Sequence, residues 1–109
     1  MPGISAFKLS NSGQFVFVPA AIWIDGNRSE QKTPNGPRVS QNYIEFFNPG
    51  DYGVPNLADV KLHIQIEAGD ERVDRNSFRY DSSSSEYAEF RISGTTRNND
   101  VEFVGIRKR

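Results

Sequence analysis

Between Val60 and Glu67 apolar and polar side chains alternate without a break. Val60, Leu62, Ile64 and Ile66 fall on one side, and Lys61, His63, Gln65 and Glu67 on the other. A period of two is the period of an extended chain, because successive side chains leave opposite faces. One apolar and one polar face describe a half-buried antiparallel strand. A second such run sets Ala88, Phe90 and Ile92 against Tyr87, Glu89, Arg91 and Ser93. Weaker runs span Ile4 to Leu9, Phe15 to Ile24, Gln41 to Phe47, Ser77 to Tyr80 and Val101 to Ile106. Phe15 to Ile24 is apolar on both faces, which predicts a central strand, and Pro19 within it predicts a bulge or local break.

Turn residues separate the runs. Asn11-Ser12-Gly13, Asp25-Gly26-Asn27, the rigid Thr33-Pro34-Asn35-Gly36-Pro37, Asn48-Pro49-Gly50-Asp51-Tyr52-Gly53 and Asp81 to Ser85 are all loop chemistry. Asn98-Asn99-Asp100 reads as a hairpin turn. No segment sustains a helical period. About seven short strands at regular spacing predict an all-β chain, a two-sheet antiparallel β-sandwich forming a single domain over residues 1–109. Loops held at the ends of such a scaffold are where binding usually sits.

Charge narrows the function. Thirteen Lys and Arg stand against fourteen Asp and Glu, a net charge of −1. A nucleic-acid binder needs a basic excess to neutralise phosphates, so no nucleic acid is expected as a partner. The basic end, Arg107-Lys108-Arg109, reads as a solvated tail. There is no cysteine, which excludes disulfides and thiolate metal ligands. Met-Pro-Gly-Ile-Ser is not a basic region leading into an apolar run, so no signal peptide is expected. The default location is then cytoplasmic, with non-classical export as the alternative. The longest apolar stretch, Phe15 to Ile24, is too short to cross a bilayer, so any membrane contact would be peripheral.

Little points to catalysis. The one histidine, His63, is read as an ordinary residue on the polar face of its strand. No Gly-x-Ser-x-Gly turn offers it a nucleophile. Glu67, Asp70, Glu71 and Asp74 are acidic, but Arg72 and Arg75 are interleaved and compensate them. That run reads as a solvated loop, with no metal and no cofactor. The aromatic residues are a better lead. Trp23 is assigned to the core. Tyr43, Phe46 and Phe47 are close neighbours on one predicted strand, so at least one ring must face out. Tyr52 sits in a polar loop. Tyr43, Phe47 and Tyr52 are therefore candidate aromatic contacts for a sugar, a lipid interface or a protein.

The segment Ile92-Ser93-Gly94-Thr95-Thr96-Arg97 resembles the Ser-Ile-Trp-Gly-Thr-Thr-Leu stretch near the end of the cholesterol-dependent (thiol-activated) cytolysins. Phe15-Val16-Phe17-Val18, with Trp23 and Asp25 following, is similar to the opening strand of their C-terminal membrane-binding domain. Pro55 to Leu62 resembles the Asn-Ala-Arg-Asn-Ile lead-in. Glu67-Ala68-Gly69 falls where the family's Glu-Cys-Thr-Gly begins its membrane-contacting loop. The match covers most of residues 10–104 and only that one domain of the toxins. It implies a β-sandwich whose loops at one end engage a membrane, a sterol or a glycan receptor.

Departures from the family's pattern redirect that implication. The tryptophan-rich loop is replaced by the charged Asp70-Glu71-Arg72-Val73-Asp74-Arg75. The Thr-Leu pair that contacts cholesterol falls on Thr96 and Arg97, so its leucine is lost. Burying these charges in a bilayer would cost several kcal/mol each, which disfavours sterol insertion. A polar tip bearing Asp70, Arg72, Arg75, Thr95, Thr96, Arg97 and Asn98 suits a glycan, a lipid headgroup or a protein receptor. Arg forks take carboxylate or phosphate, and Asn and Thr take hydroxyls. The expected function is non-catalytic recognition. The alternative is a self-assembling (homo-oligomeric) or partner-binding structural protein, motivated by exposed edge strands and the Phe46-Phe47 pair.

Overall fold

The computed structural model describes residues 2–109. Its ten strands are β1 (Gly3–Ile4), β2 (Ala6–Asn11), β3 (Phe17–Ile24), β4 (Glu30–Lys32), β5 (Ile44–Phe47), β6 (Asp59–Ile66), β7 (Glu71–Val73), β8 (Phe78–Tyr80), β9 (Glu86–Gly94) and β10 (Asn99–Lys108). One 3₁₀ turn, Pro49–Tyr52, is capped by Asn48, whose side chain accepts from Gly50 N. The larger sheet runs β1-β8-β6-β3-β4, with β7 paired to β6 beyond β8. The smaller runs β10-β9-β2-β5.

The all-β, two-sheet architecture is as expected, but strand number and direction differ. Ten strands replace about seven because the Ile4–Leu9 run divides at Ser5 into β1 and β2, and because β4 and β7 are three-residue strands with every side chain exposed. No apolar face marks them. The sheets are also mixed rather than purely antiparallel. β1 pairs with β8 in parallel, and β2 pairs with β9 in parallel. The cause is a shared crossover. The chain passes from β1 to β2 and from β8 to β9 side by side, so each segment meets its neighbour running the same way. Ser5 N donates to Glu86 O (2.9 Å) where the two cross.

Alternation built the core as predicted. Val60, Leu62, Ile64 and Ile66 point inward from β6, and Ala88, Phe90 and Ile92 from β9. Phe7 is central. Its ring meets Phe78 at 5.8 Å and Phe90 at 5.9 Å edge-on, and stacks near Phe47 at 6.3 Å. Such pairs add to plain area burial. Trp23 packs against this core and stays partly exposed.

Two local expectations are corrected. Pro19 makes no bulge: β3 runs through it in unbroken register with β6, Pro19 opposite Ile64. Its carbonyl accepts from Gly36 N (2.7 Å) on the loop side. N–H and C=O of one strand residue point the same way, so the missing donor faces that loop and costs the β6 ladder nothing. His63 does lie on the outer face, yet it is fully covered there.

Phe7→Ala should lower unfolding free energy by about 3–5 kcal/mol in a urea titration, the cost of emptying a packed aromatic site. Phe46→Ala, at a half-exposed ring, should cost under about 1 kcal/mol.

Candidate functional site

Four loops gather at one end of the sandwich: 11–16, 40–43, 67–70 and 95–98. Backbone bonds tie them across the sheets. Gln14 N donates to Gly94 O (2.9 Å), Glu67 N to Val16 O (2.9 Å) and Asn42 N to Asn11 O (2.7 Å). Buried Asn11 holds the first loop, its Nδ2 donating to Phe15 O and Val39 O and its Oδ1 accepting from Gly13 N.

The β6–β7 and β9–β10 turns are clasped together. Ile66 N donates to Asp70 O (2.9 Å), closing the first turn, and Ala68 takes a left-handed φ of 57° within it. Asn98 N donates to Thr95 Oγ1 (3.1 Å) and Thr95 N to Asn98 O (2.9 Å), closing the second. Gly94 precedes it at φ 103°, where a Cβ would sit 2.3 Å from Asn98 O. Gly69 lies so close to the second turn that a Cβ would be 2.5 Å from Thr96 O. Asp70 N donates to that same carbonyl (3.2 Å).

Asn99 is the hub. It is buried. Its Nδ2 reaches Asp70 Oδ2 (3.1 Å), Thr95 O (3.2 Å) and Thr96 O (3.3 Å), while its Oδ1 accepts from Arg72 Nε. An amide carries both donor and acceptor, which lets one side chain join a carboxylate, two carbonyls and a guanidinium. Of the predicted tip residues, Asp70, Arg72, Thr95 and Thr96 therefore meet. Arg97 and Asn98 lie exposed on the second turn. Arg75 is outside the hub's hydrogen bonds and lines, together with Arg72, Asp74, Asn76, Asp100 and Phe103, a groove of about 870 Å³ between the edges of β7 and β10. Arg75 and Arg97 form no ion pair among the described residues.

Sequence reasoning missed Asn99, having placed Asn98-Asn99-Asp100 in the turn itself. The turn ends at Asn98, and Asn99 opens β10 opposite Gly94. A bidentate pair from Arg38 to Glu67 (2.7 and 3.0 Å) adds a rim contact that holds the Glu67 carboxyl below its usual range. It is solvent-exposed and contributes little to stability.

The aromatic contacts divide. Tyr43 is 63% exposed at this end, and Ile44 and Phe46 extend its patch along the smaller sheet. Phe46 meets Tyr87 edge-on at 5.3 Å. Phe47 is not available: it points inward and is fully buried, because neighbours on β5 alternate and Phe46 takes the outer face. Tyr52 follows β5 at the opposite end, half-buried against Phe47 at 5.1 Å, and so does not join Tyr43.

No protein-family model and no curated protein matches the chain. Solved structures do. Listeriolysin O aligns with a TM-score of 0.51 at 15% identity, over 93% of this chain and 22% of that one. The membrane-binding domain of pneumolysin aligns with a TM-score of 0.48 at 17% identity, over 96% of each. Intact pneumolysin gives 0.44 at 19% identity, over 93% of this chain and 23% of that one. The listeriolysin O likeness establishes a shared fold, and the chain spans about a fifth of that protein's length.

Asn99→Ala removes the hub amide and the bonds it makes. It should cost about 1–3 kcal/mol in chemical denaturation, because buried partners lose their bonds. Exchange of the Asp70 amide should accelerate, while amides in the centre of β6 keep their protection.

Proposed function

We propose that this chain is a non-catalytic recognition module that binds a polar ligand at a membrane surface, a glycan or an anionic lipid headgroup, through the clasped 67–70 and 95–98 turns. The observation that carries the reading is the Asn99 hub. It joins two turns far apart in sequence into one surface before any ligand arrives, so less ordering is lost on binding. Exposed Arg97 and the Asn98 side chain beside it offer a guanidinium fork and an amide partner for hydroxyls. The cytolysin-like motifs, on a fold shared with listeriolysin O, favour a membrane surface as the place of binding.

Contact would stay peripheral. Arg97 stands where the cytolysin pattern has leucine, and carrying a guanidinium into hydrocarbon is costly. In the headgroup layer the same charge is favourable, by about 1 kcal/mol per Arg near an anionic surface.

A second reading rests on Ile44 and Phe46 of the edge strand β5 and on Tyr43 in the loop just before it, which are 45–63% exposed. These side chains would serve self-association or a protein partner. A monomer persisting in light scattering at high concentration removes self-association.

Vesicle pelleting with anionic lipid and a glycan array test the first reading together. Wild-type protein should bind one of them, and Arg97→Glu should weaken that binding by about 2 kcal/mol, roughly thirtyfold. Folded protein that binds neither contradicts the proposal.

A further inference from the structure

The outer face of the larger sheet carries a side chain that an ordinary solvent-facing position does not explain. His63 points away from the core, yet it is 2% exposed. Neither of its ring nitrogens has a hydrogen-bond partner among the described residues. The carboxylate nearest to it, Glu71 Oε1, is 3.6 Å from Nε2, beyond hydrogen-bond length. Leaving a buried imidazole unpaired costs free energy that a bound group would recover.

Strand register defines what surrounds it. Lys32 on β4 pairs with Ile22 on β3, one row from the pair Ala20–His63. Val73 on β7 pairs with His63, and Glu71 pairs with Gln65 in the row beyond. Lys32, His63 and Glu71 therefore lie on one diagonal across four strands, with the imidazole in the middle. Three strand spacings separate the β4 and β7 backbones by about 14 Å. The two opposite charges stand on facing walls, and no ion pair joins them. Between them lies a cavity of about 290 Å³ with Ile22 and Val73 as apolar sides.

The charges select the ligand. A lone anion would meet Glu71, and Glu30 two residues from Lys32 on the rim. A lone cation would meet Lys32. A molecule with both ends satisfies both walls. We propose that this cavity binds a small zwitterion, its anionic oxygen group held by Lys32 and the His63 N–H and its ammonium held by Glu71. Burial and the Lys32 charge, only partly opposed by Glu71, hold the His63 pKa below its ordinary value. The imidazole is then neutral at neutral pH, with one donor for the ligand and one lone pair. The site lies on the flank of the sandwich and stands independently of the tip reading.

The chain has a single histidine, so its imidazole signals report this cavity alone. The full ¹⁵N-labelled chain is titrated with phosphoethanolamine, and with inorganic phosphate and ethanolamine separately. The zwitterion should shift the imidazole signals saturably, and each half should bind more weakly. Lys32→Gln and Glu71→Gln change exposed residues and should keep the fold. Each should weaken phosphoethanolamine by roughly tenfold, the loss of one charge-assisted contact. Phosphatidylcholine vesicles carrying phosphatidylethanolamine separate the sources. Displacement of the soluble probe by the vesicles assigns a lipid headgroup, and its retention assigns a free small molecule; both uphold the zwitterion chemistry. Unmoved imidazole signals in folded protein overturn the proposal. So does phosphate alone binding as tightly as the zwitterion, or unchanged affinity in both variants.

Discussion

Phe7 sits two residues past the point where the chain leaves the larger sheet for the smaller, and its ring touches aromatic partners on both. Phe78 belongs to the larger sheet, Phe90 and Phe47 to the smaller. Burying these rings holds the two sheets face to face and fixes the paired crossover beside them. Every other feature hangs from that arrangement. β6 and β9 carry the two turns of the tip, and both are anchored from behind by the same core. The tip can be polar and charged because its rigidity comes from strands buried beneath it.

That division of labour explains a charged sequence at the end of a well-packed fold. Arg72 spends its Nε on Asn99, so it acts as part of the clasp. Arg97 carries no such duty and remains free for a ligand among the described residues. Asp70 is likewise partly committed, through Asn99 and through its own amide. Thr95 is committed as well, its hydroxyl closing the turn with Asn98, so the surface left for the proposed ligand is narrower than the run of polar residues suggests: Arg97 and the Asn98 side chain on one turn, with Arg75 on the groove it shares with Arg72.

Much of the fold was legible because alternation reports burial directly. β6 and β9 fell where Val60–Ile66 and Ala88–Ile92 put them. β4 and β7 were not legible, since Glu30-Gln31-Lys32 and Glu71-Arg72-Val73 pair by backbone bonds and bury no face. The parallel pairings were hidden too, because direction is set by which connections travel together. The motif-like residues pointed to Asp70, Arg72, Thr95 and Thr96, which the structure brings together, but not to the Asn99 that joins them. Nothing in Asn98-Asn99-Asp100 says which amide turns inward. His63 shows the remaining limit: a period of two tells which face a side chain takes, and not whether neighbouring strands roof that face over. The same alternation placed Phe46 outside and Phe47 inside only once the register with β2 was known.

The central claim is that recognition happens at the clasped turns and not along the exposed β5 patch. Residue-by-residue NMR of the labelled chain, with vesicles bearing anionic lipid or with a bound glycan, tests it most directly. The account predicts broadened or shifted amides at Ala68, Asp70 and Thr95 to Asn98, with Ile44, Phe46 and Tyr87 unmoved. Perturbation confined to Ile44, Phe46 and Tyr87 would contradict it.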